Sequence, residues 1–160
     1  MSDDFEVARY GLRTFKIADG KLQPVAQGRA DDWLGGTCTA DCHAMKYNQH
    51  HKPPVKECGC GVYAALTAFD LIDQWMRHSA LVIAVVAAEG TTIIGPRGFR
   101  TECARVVAWW SPYWNVRRLI NKQFPNTVRY KRLQSMLDAY HLPFYPPSRA
   151  DDPEEEPFWA

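Results

Sequence analysis

No apolar run in this 160-residue sequence exceeds the nine residues Ala80 to Ala88. A membrane-spanning helix needs roughly 20, so no membrane span is expected. The chain also lacks the opening of a secreted protein: Ser2-Asp3-Asp4-Phe5-Glu6 stands where a basic patch and an apolar stretch would be. A cytoplasmic location is therefore expected. An even cysteine count is missing too, because there are five, and four of them are crowded between Cys38 and Cys60. That pattern argues against a disulfide framework. No G-x4-G-K-[ST] phosphate loop and no internal repeat occur. What remains is ordinary in bulk: 46% hydrophobic and 23% charged residues, close to the globular average, which excludes wholesale disorder and collagen or coiled-coil fibres. The length suits one domain, or one domain with a tail.

The net charge of +1 conceals a polarity along the chain. Residues 1–80 carry nine Lys/Arg against ten Asp/Glu, whereas residues 81–149 carry ten against three, a local +7. Residues 150–160 hold five acids and no base. A basic body followed by an acidic tail is either a solvated face with a disordered end, or a surface for an anionic partner that the tail can cover.

Periodicity divides the chain further. The segment Val7 to Ile17, then Asp19-Gly20, then Leu22 to Val25 reads as a β-hairpin. Residues 27–60 have no period and are rich in Gly, Cys, His, Pro and Asn, an irregular stretch that compact domains rarely keep without an internal staple. Val62, Ala65, Leu66, Phe69, Ile72 and Trp75 recur at helical spacing and predict a helix from Gly61 to about His78. Leu81 to Ala88 reads as a central strand, turned at Glu89-Gly90 into Thr91–Ile94 as a second hairpin. Phe99 to Trp110 reads as a further strand or a mixed segment, with strand favoured by Val106, Val107, Trp109 and Trp110 and a helical turn open at Glu102–Arg105; Tyr113–Phe124 and Lys131–His141 read as two short helices. The expected fold is α+β: a small antiparallel sheet packed by about three helices over residues 1–145. The acidic, Pro-rich residues 146–160 are expected to be a disordered tail.

The chemistry concentrates in the irregular stretch. Cys38, Cys42, His43, His50, His51, Cys58 and Cys60 fall within 23 residues, and thiolate and imidazole are the donors that structural zinc prefers. Cys38-x3-Cys42 and Cys58-Gly59-Cys60 are candidate halves of a clamp, with Gly59 permitting close approach of the second pair. Cys42, Cys58 and Cys60 combine with either Cys38 or His51 to give four donors; His43 and His50 are further candidates. Asp41 and Glu57 are the only carboxylates that could act as a base beside a catalytic ion. A nucleophilic Cys60 at a helix start is a further possibility to weigh.

Tyr10-Gly-Leu-Arg-Thr-Phe-Lys, Asp19-Gly-Lys-Leu22, Trp33, Cys42, His51, Pro54, Cys58-Gly-Cys-Gly-Val-Tyr-Ala64 and Gly98-Phe-Arg-Thr-Glu-Cys-Ala104 occur here in that order. The chain thereby resembles a family of small proteins of actinobacteria and their bacteriophages. That family is marked by a C-x-C-G-[VIF]-Y-A helix start and a G-[FY]-R-x-E-x-A segment. The likeness spans residues 10–145. It implies no activity, but a phage origin would make a host protein the expected partner. The Glu-rich tail, His50, Cys38 and Trp110 depart from the pattern, which weakens Cys38 as a ligand.

Candidate partner contacts are Arg100, Glu102 and Arg105 around one turn, and Trp110, Trp114, Arg117 and Arg118 in an aromatic and basic run. The alternatives are an internal Arg–Glu pair and ordinary core packing. The leading function is a zinc-stapled protein-interaction module. A nucleic-acid binder using the basic segment 97–132 and a zinc or cysteine hydrolase are the alternatives.

Overall fold

The computed structural model describes residues 8–25, 30–42, 51–75 and 82–147. The order is β1 (Arg9–Ala18), β2 (Lys21–Pro24), β3 (Thr37–Thr39), β4 (Val62–Ala65), α1 (Ala68–Trp75), β5 (Val82–Ile94), β6 (Gly98–Trp110), α2 (Arg117–Gln123), β7 (Val128–Tyr130) and α3 (Leu133–Ala139). A kinked 3-10 stretch, Ala30–Gly36, leads into β3, and a 3-10 turn, Trp114–Val116, leads into α2. Seven strands form one sheet, antiparallel except where β7 runs parallel to β6. The expected α+β class stands. No helix among the described residues is long and apolar enough to cross a membrane.

The Asp19-Gly20 hairpin forms as expected, with both residues at positive φ (52° and 71°) and Ala18 paired to Lys21. This is the twist that two-residue hairpin turns require. Two other expectations need correction. Glu89-Gly90 does not reverse the chain: β5 continues through it with a register shift, and the reversal comes at Gly95-Pro96-Arg97, where Gly95 N–H donates to Gly98 O (2.8 Å). Nor does a helix begin at Gly61. Residues 62–65 are a strand that alternates buried and half-buried positions and pairs with β6 along Gly98–Thr101. The helix starts only at Ala68, because Thr67 caps it: its Oγ1 accepts from the Asp70 N–H (3.1 Å) and donates to Asp70 Oδ2 (2.8 Å). A Thr three residues ahead of an acid is the usual sequence mark of such a start.

The pairings close on themselves. β1 lies beside β5 from Arg9 to Phe15, β5 beside β6, and β6 beside β4. β4 returns to β1 through one pair, Leu12 with Ala65. Gly11 makes the return possible, since a Cβ there would stand 2.7 Å from both Ala64 Cβ and the Phe99 ring. β3 and β7 occupy further lengths of the β6 edge, and β2 extends β1.

Two apolar clusters flank this sheet. Val82, Ala84 and Val86 join Phe15, Leu22, Trp33, Ile120 and Phe124 in the first. Ile83 and Val85 join Leu12, Leu71, Met136, Leu137 and Leu142 in the second. The alternation along β5 thus serves both faces at once, which is why the sequence there is a continuous apolar run. On one side α2 closes the core, with Phe15 set edge-on to both Trp33 and Phe124 at 5.2 and 5.1 Å. On the other, α1 and α3 do.

Candidate metal centre

Two strands that share one edge of β6 deliver the candidate ligands. Strand β3 pairs with β6 at Cys103–Arg105, and the Ala40 N–H extends that ladder to Glu102 O (2.8 Å), bringing Cys42 in from one side. His51, Cys58 and Cys60 arrive from the other side on the segment that runs directly into β4. Cys58 N–H donates to Val55 O (3.1 Å), and Tyr63 Oη donates to Gly59 O (2.7 Å). Both bonds fix the turn that carries the two sulfurs.

The donor atoms of Cys42, His51, Cys58 and Cys60 all lie within 4.8 Å of one another. Cys42 Sγ and Cys58 Sγ are 3.7 Å apart, and His51 Nε2 and Cys60 Sγ are 3.2 Å apart. No disulfide joins any of the described cysteines. With metal–sulfur bonds of about 2.3 Å and metal–nitrogen bonds of about 2.0–2.1 Å, a tetrahedron would have edges of about 3.8 Å between sulfurs and about 3.6 Å between nitrogen and sulfur. The Cys42–Cys58 and His51–Cys60 separations come within about 0.1 and 0.4 Å of those edges, and no donor pair in the group exceeds 4.8 Å. The four side chains can bind one metal ion.

Electrostatics point the same way. The Cys58 thiol is held below its ordinary range, first by the Cys60 backbone N–H, then by its sulfur neighbours and the Arg100 charge. The Cys60 thiol is pushed up, first by burial and also by the Cys58 and Cys42 sulfurs beside it. A bound cation would favour the anionic form of all three sulfurs, adding to the Arg100 charge already beside Cys58.

No family model, curated protein or solved structure matches this chain. The site is therefore read from its own chemistry.

Of the candidate ligands, four converge and one does not. Cys38 sits at the centre of the three-residue β3, where Thr37 and Thr39 face outward and Cys38 faces in. It is buried in the first core with its backbone opposite Ala104, and its sulfur is not in the donor group. The strand's period of two decides this. His43 and His50 lie outside the described residues. Asp41 and Glu57 are exposed and outside the donor group.

Of the candidate partner contacts, Arg100 and Glu102 are occupied internally. The Arg100 guanidinium turns into the ligand loop and donates to the carbonyls of Val55, Lys56, Cys58 and Cys60. Glu102 takes Lys52 Nζ at 2.6 Å and the Thr91 N–H at 3.2 Å, which together hold its carboxyl below the usual range. Lys52 adjoins His51, so this pair ties the ligand segment to β6 from a second point. Arg105 pairs with Glu89 at 3.0 Å on an exposed stretch. Trp110 is half-buried against the second core. Trp114 is 84% exposed, and Tyr113, Arg117 and Arg118 are exposed beside it. Trp109 is core, with the Arg129 guanidinium 5.8 Å from its ring centre. The contacts that Arg100, Lys52 and Tyr63 make around the ligand segment have no sequence signal, because each depends on which strand lies beside the loop.

Proposed function

We propose that this chain is a zinc-stapled protein-interaction module, phage-encoded and directed at a host protein. The observation that carries the zinc is the donor set: three thiols and one imidazole whose donor atoms all lie within 4.8 Å of one another, with no carboxylate among them. Soft sulfur donors with a histidine select zinc among the common divalent ions. Four protein ligands complete its usual coordination, whereas a hydrolytic ion keeps a position for water. A structural ion is thus favoured over a hydrolase. Its work is to hold Cys42 and residues 51–60 together beside β6, so that these aperiodic stretches behave as part of a rigid body.

The interaction surface in this reading is the Trp114 turn. A tryptophan 84% exposed, with Tyr113, Arg117 and Arg118 exposed next to it in sequence, supplies the side chains that dominate protein interfaces. A host protein as partner comes from the family likeness. One observation favours nucleic acid as the second reading. Arg117, Arg118, Lys122, Arg129, Lys131 and Arg132 are all exposed, and none has an ion-pair partner among the described residues.

The test has two parts. Elemental analysis of protein purified without added metal should give one zinc per chain. A partner captured from an actinobacterial lysate, identified and then purified, should bind wild type after nuclease treatment. It should bind Trp114→Ala at least about 30-fold more weakly, the scale of a hot-spot residue. Recovery abolished by nuclease, with affinity falling steeply in salt, would install the nucleic-acid reading instead.

A further inference from the structure

We propose that Arg100 is the positioning residue of the metal site: its guanidinium shapes the Cys58–Cys60 turn before any ion arrives and balances the charge of the loaded site. The inference rests on the zinc reading above. Arg100 lies on β6 between Ile93 of β5 and Tyr63 of β4, with its side chain directed at the ligand loop. Its Nη1 donates to Val55 O at 2.9 Å, to Cys60 O at 3.0 Å and to Cys58 O, and its Nη2 to Lys56 O at 3.3 Å. Four carbonyl oxygens from one short segment therefore converge on one cation, and two of them belong to ligand residues. A guanidinium suits this because its five N–H donors spread in a fixed plane.

Removing it would take this donor from the partly buried Cys58 and Cys60 oxygens and leave Val55 O only the Cys58 N–H, so the turn would have to open. Close packing reinforces the arrangement. A Cβ on Gly61, the residue after the last ligand, would stand 3.0 Å from Arg100 Cβ and 3.3 Å from Pro54 Cβ. The chain thus passes against the arginine stem immediately after delivering Cys60. Charge gives the second half of the role. Three thiolates and a neutral imidazole around a divalent ion sum to −1, and Arg100 supplies the +1 beside them. Groups that orient metal ligands in this way typically change affinity by about 10- to 100-fold when lost.

Three variants separate geometry from charge. Arg100→Lys keeps the charge but not the planar donors, and Arg100→Gln loses both. Arg105→Gln removes an exposed arginine from the same strand. Zinc affinity is measured by competition with a chromophoric chelator, and site geometry by the tetrahedral and sulfur charge-transfer bands of the cobalt(II) form. Arg100→Lys should bind zinc about 10-fold more weakly and Arg100→Gln about 100-fold, with altered cobalt bands, while Arg105→Gln matches wild type. If Arg100→Gln does not fold, Arg100→Lys decides. Equal affinities and spectra for wild type and Arg100→Lys would overturn the role of Arg100 alone. Failure of wild type to take one zinc ion would overturn the zinc reading itself.

Discussion

Removing metal from the Cys42–Cys60 loop should lower the thermal midpoint by an amount that chain statistics set. A metal cross-link acts on the unfolded chain as a disulfide does, by closing loops in it. Cys42 and Cys58 are separated by 16 positions, and His51 and Cys60 by nine. Loops of that size correspond to about 3 and about 2.5 kcal/mol of lost unfolded-state entropy. The two loops interlock, since His51 falls between Cys42 and Cys58, so their values do not simply add. A combined effect of about 3–5 kcal/mol is the reasonable range. In a domain of this size each kcal/mol moves the midpoint by about 2–4 °C, so the lower bound alone gives a drop of about 6 °C. The assay is calorimetric unfolding of the reduced protein before and after chelation, with the metal content measured in both samples. Cys58→Ser should reproduce the chelated midpoint. Cys103→Ser, whose sulfur lies 3.8 Å from the Thr39 hydroxyl and outside the donor group, should retain the full metal-dependent shift. A shift under about 2 °C on complete removal of bound metal would refute the idea that the ion staples this segment.

Two further substitutions test the fold around the site. Thr67→Ala removes the cap of α1 and strands the buried Asp70 carboxylate; denaturant unfolding should show a loss of about 1–2 kcal/mol. Gly11→Ala places a methyl group 2.7 Å from Ala64 Cβ and the Phe99 ring. It should cost about 1–3 kcal/mol by the same measurement, as overpacking in a tight core does.

Part of this molecule is legible in its residues. Asp19-Gly20 announces its own hairpin, and the run Phe99 to Trp110 falls within β6, which starts one residue earlier. The two C-terminal helices lie within their expected spans, each trimmed at both ends. The crowding of sulfur and imidazole marks the candidate metal centre, and four of its five described candidates converge. The failures have physical causes. Val62, Ala65, Leu66 and Phe69 fit a helical period although the first two belong to a strand, and only the Thr67 cap shows where the helix starts. Glu89-Gly90 has turn chemistry, but the ladder to β6 resumes beyond it and keeps the chain straight. Cys38 shares its composition and neighbourhood with the ligands; only the outward Thr37 and Thr39 reveal that it faces the core. β7 is three residues of mixed polarity whose strand character comes from Ala108–Trp110 lying alongside.

The double service of β5 has a consequence for how this chain can misassemble. Because odd-numbered residues there feed one interior and even-numbered residues the other, slipping the strand by a single position would exchange Ile83 and Val85 with Val82, Ala84 and Val86 simultaneously. No compromise alignment satisfies half the molecule. Both interiors must find their partners together or neither does, so the two sides of this protein should melt in one step.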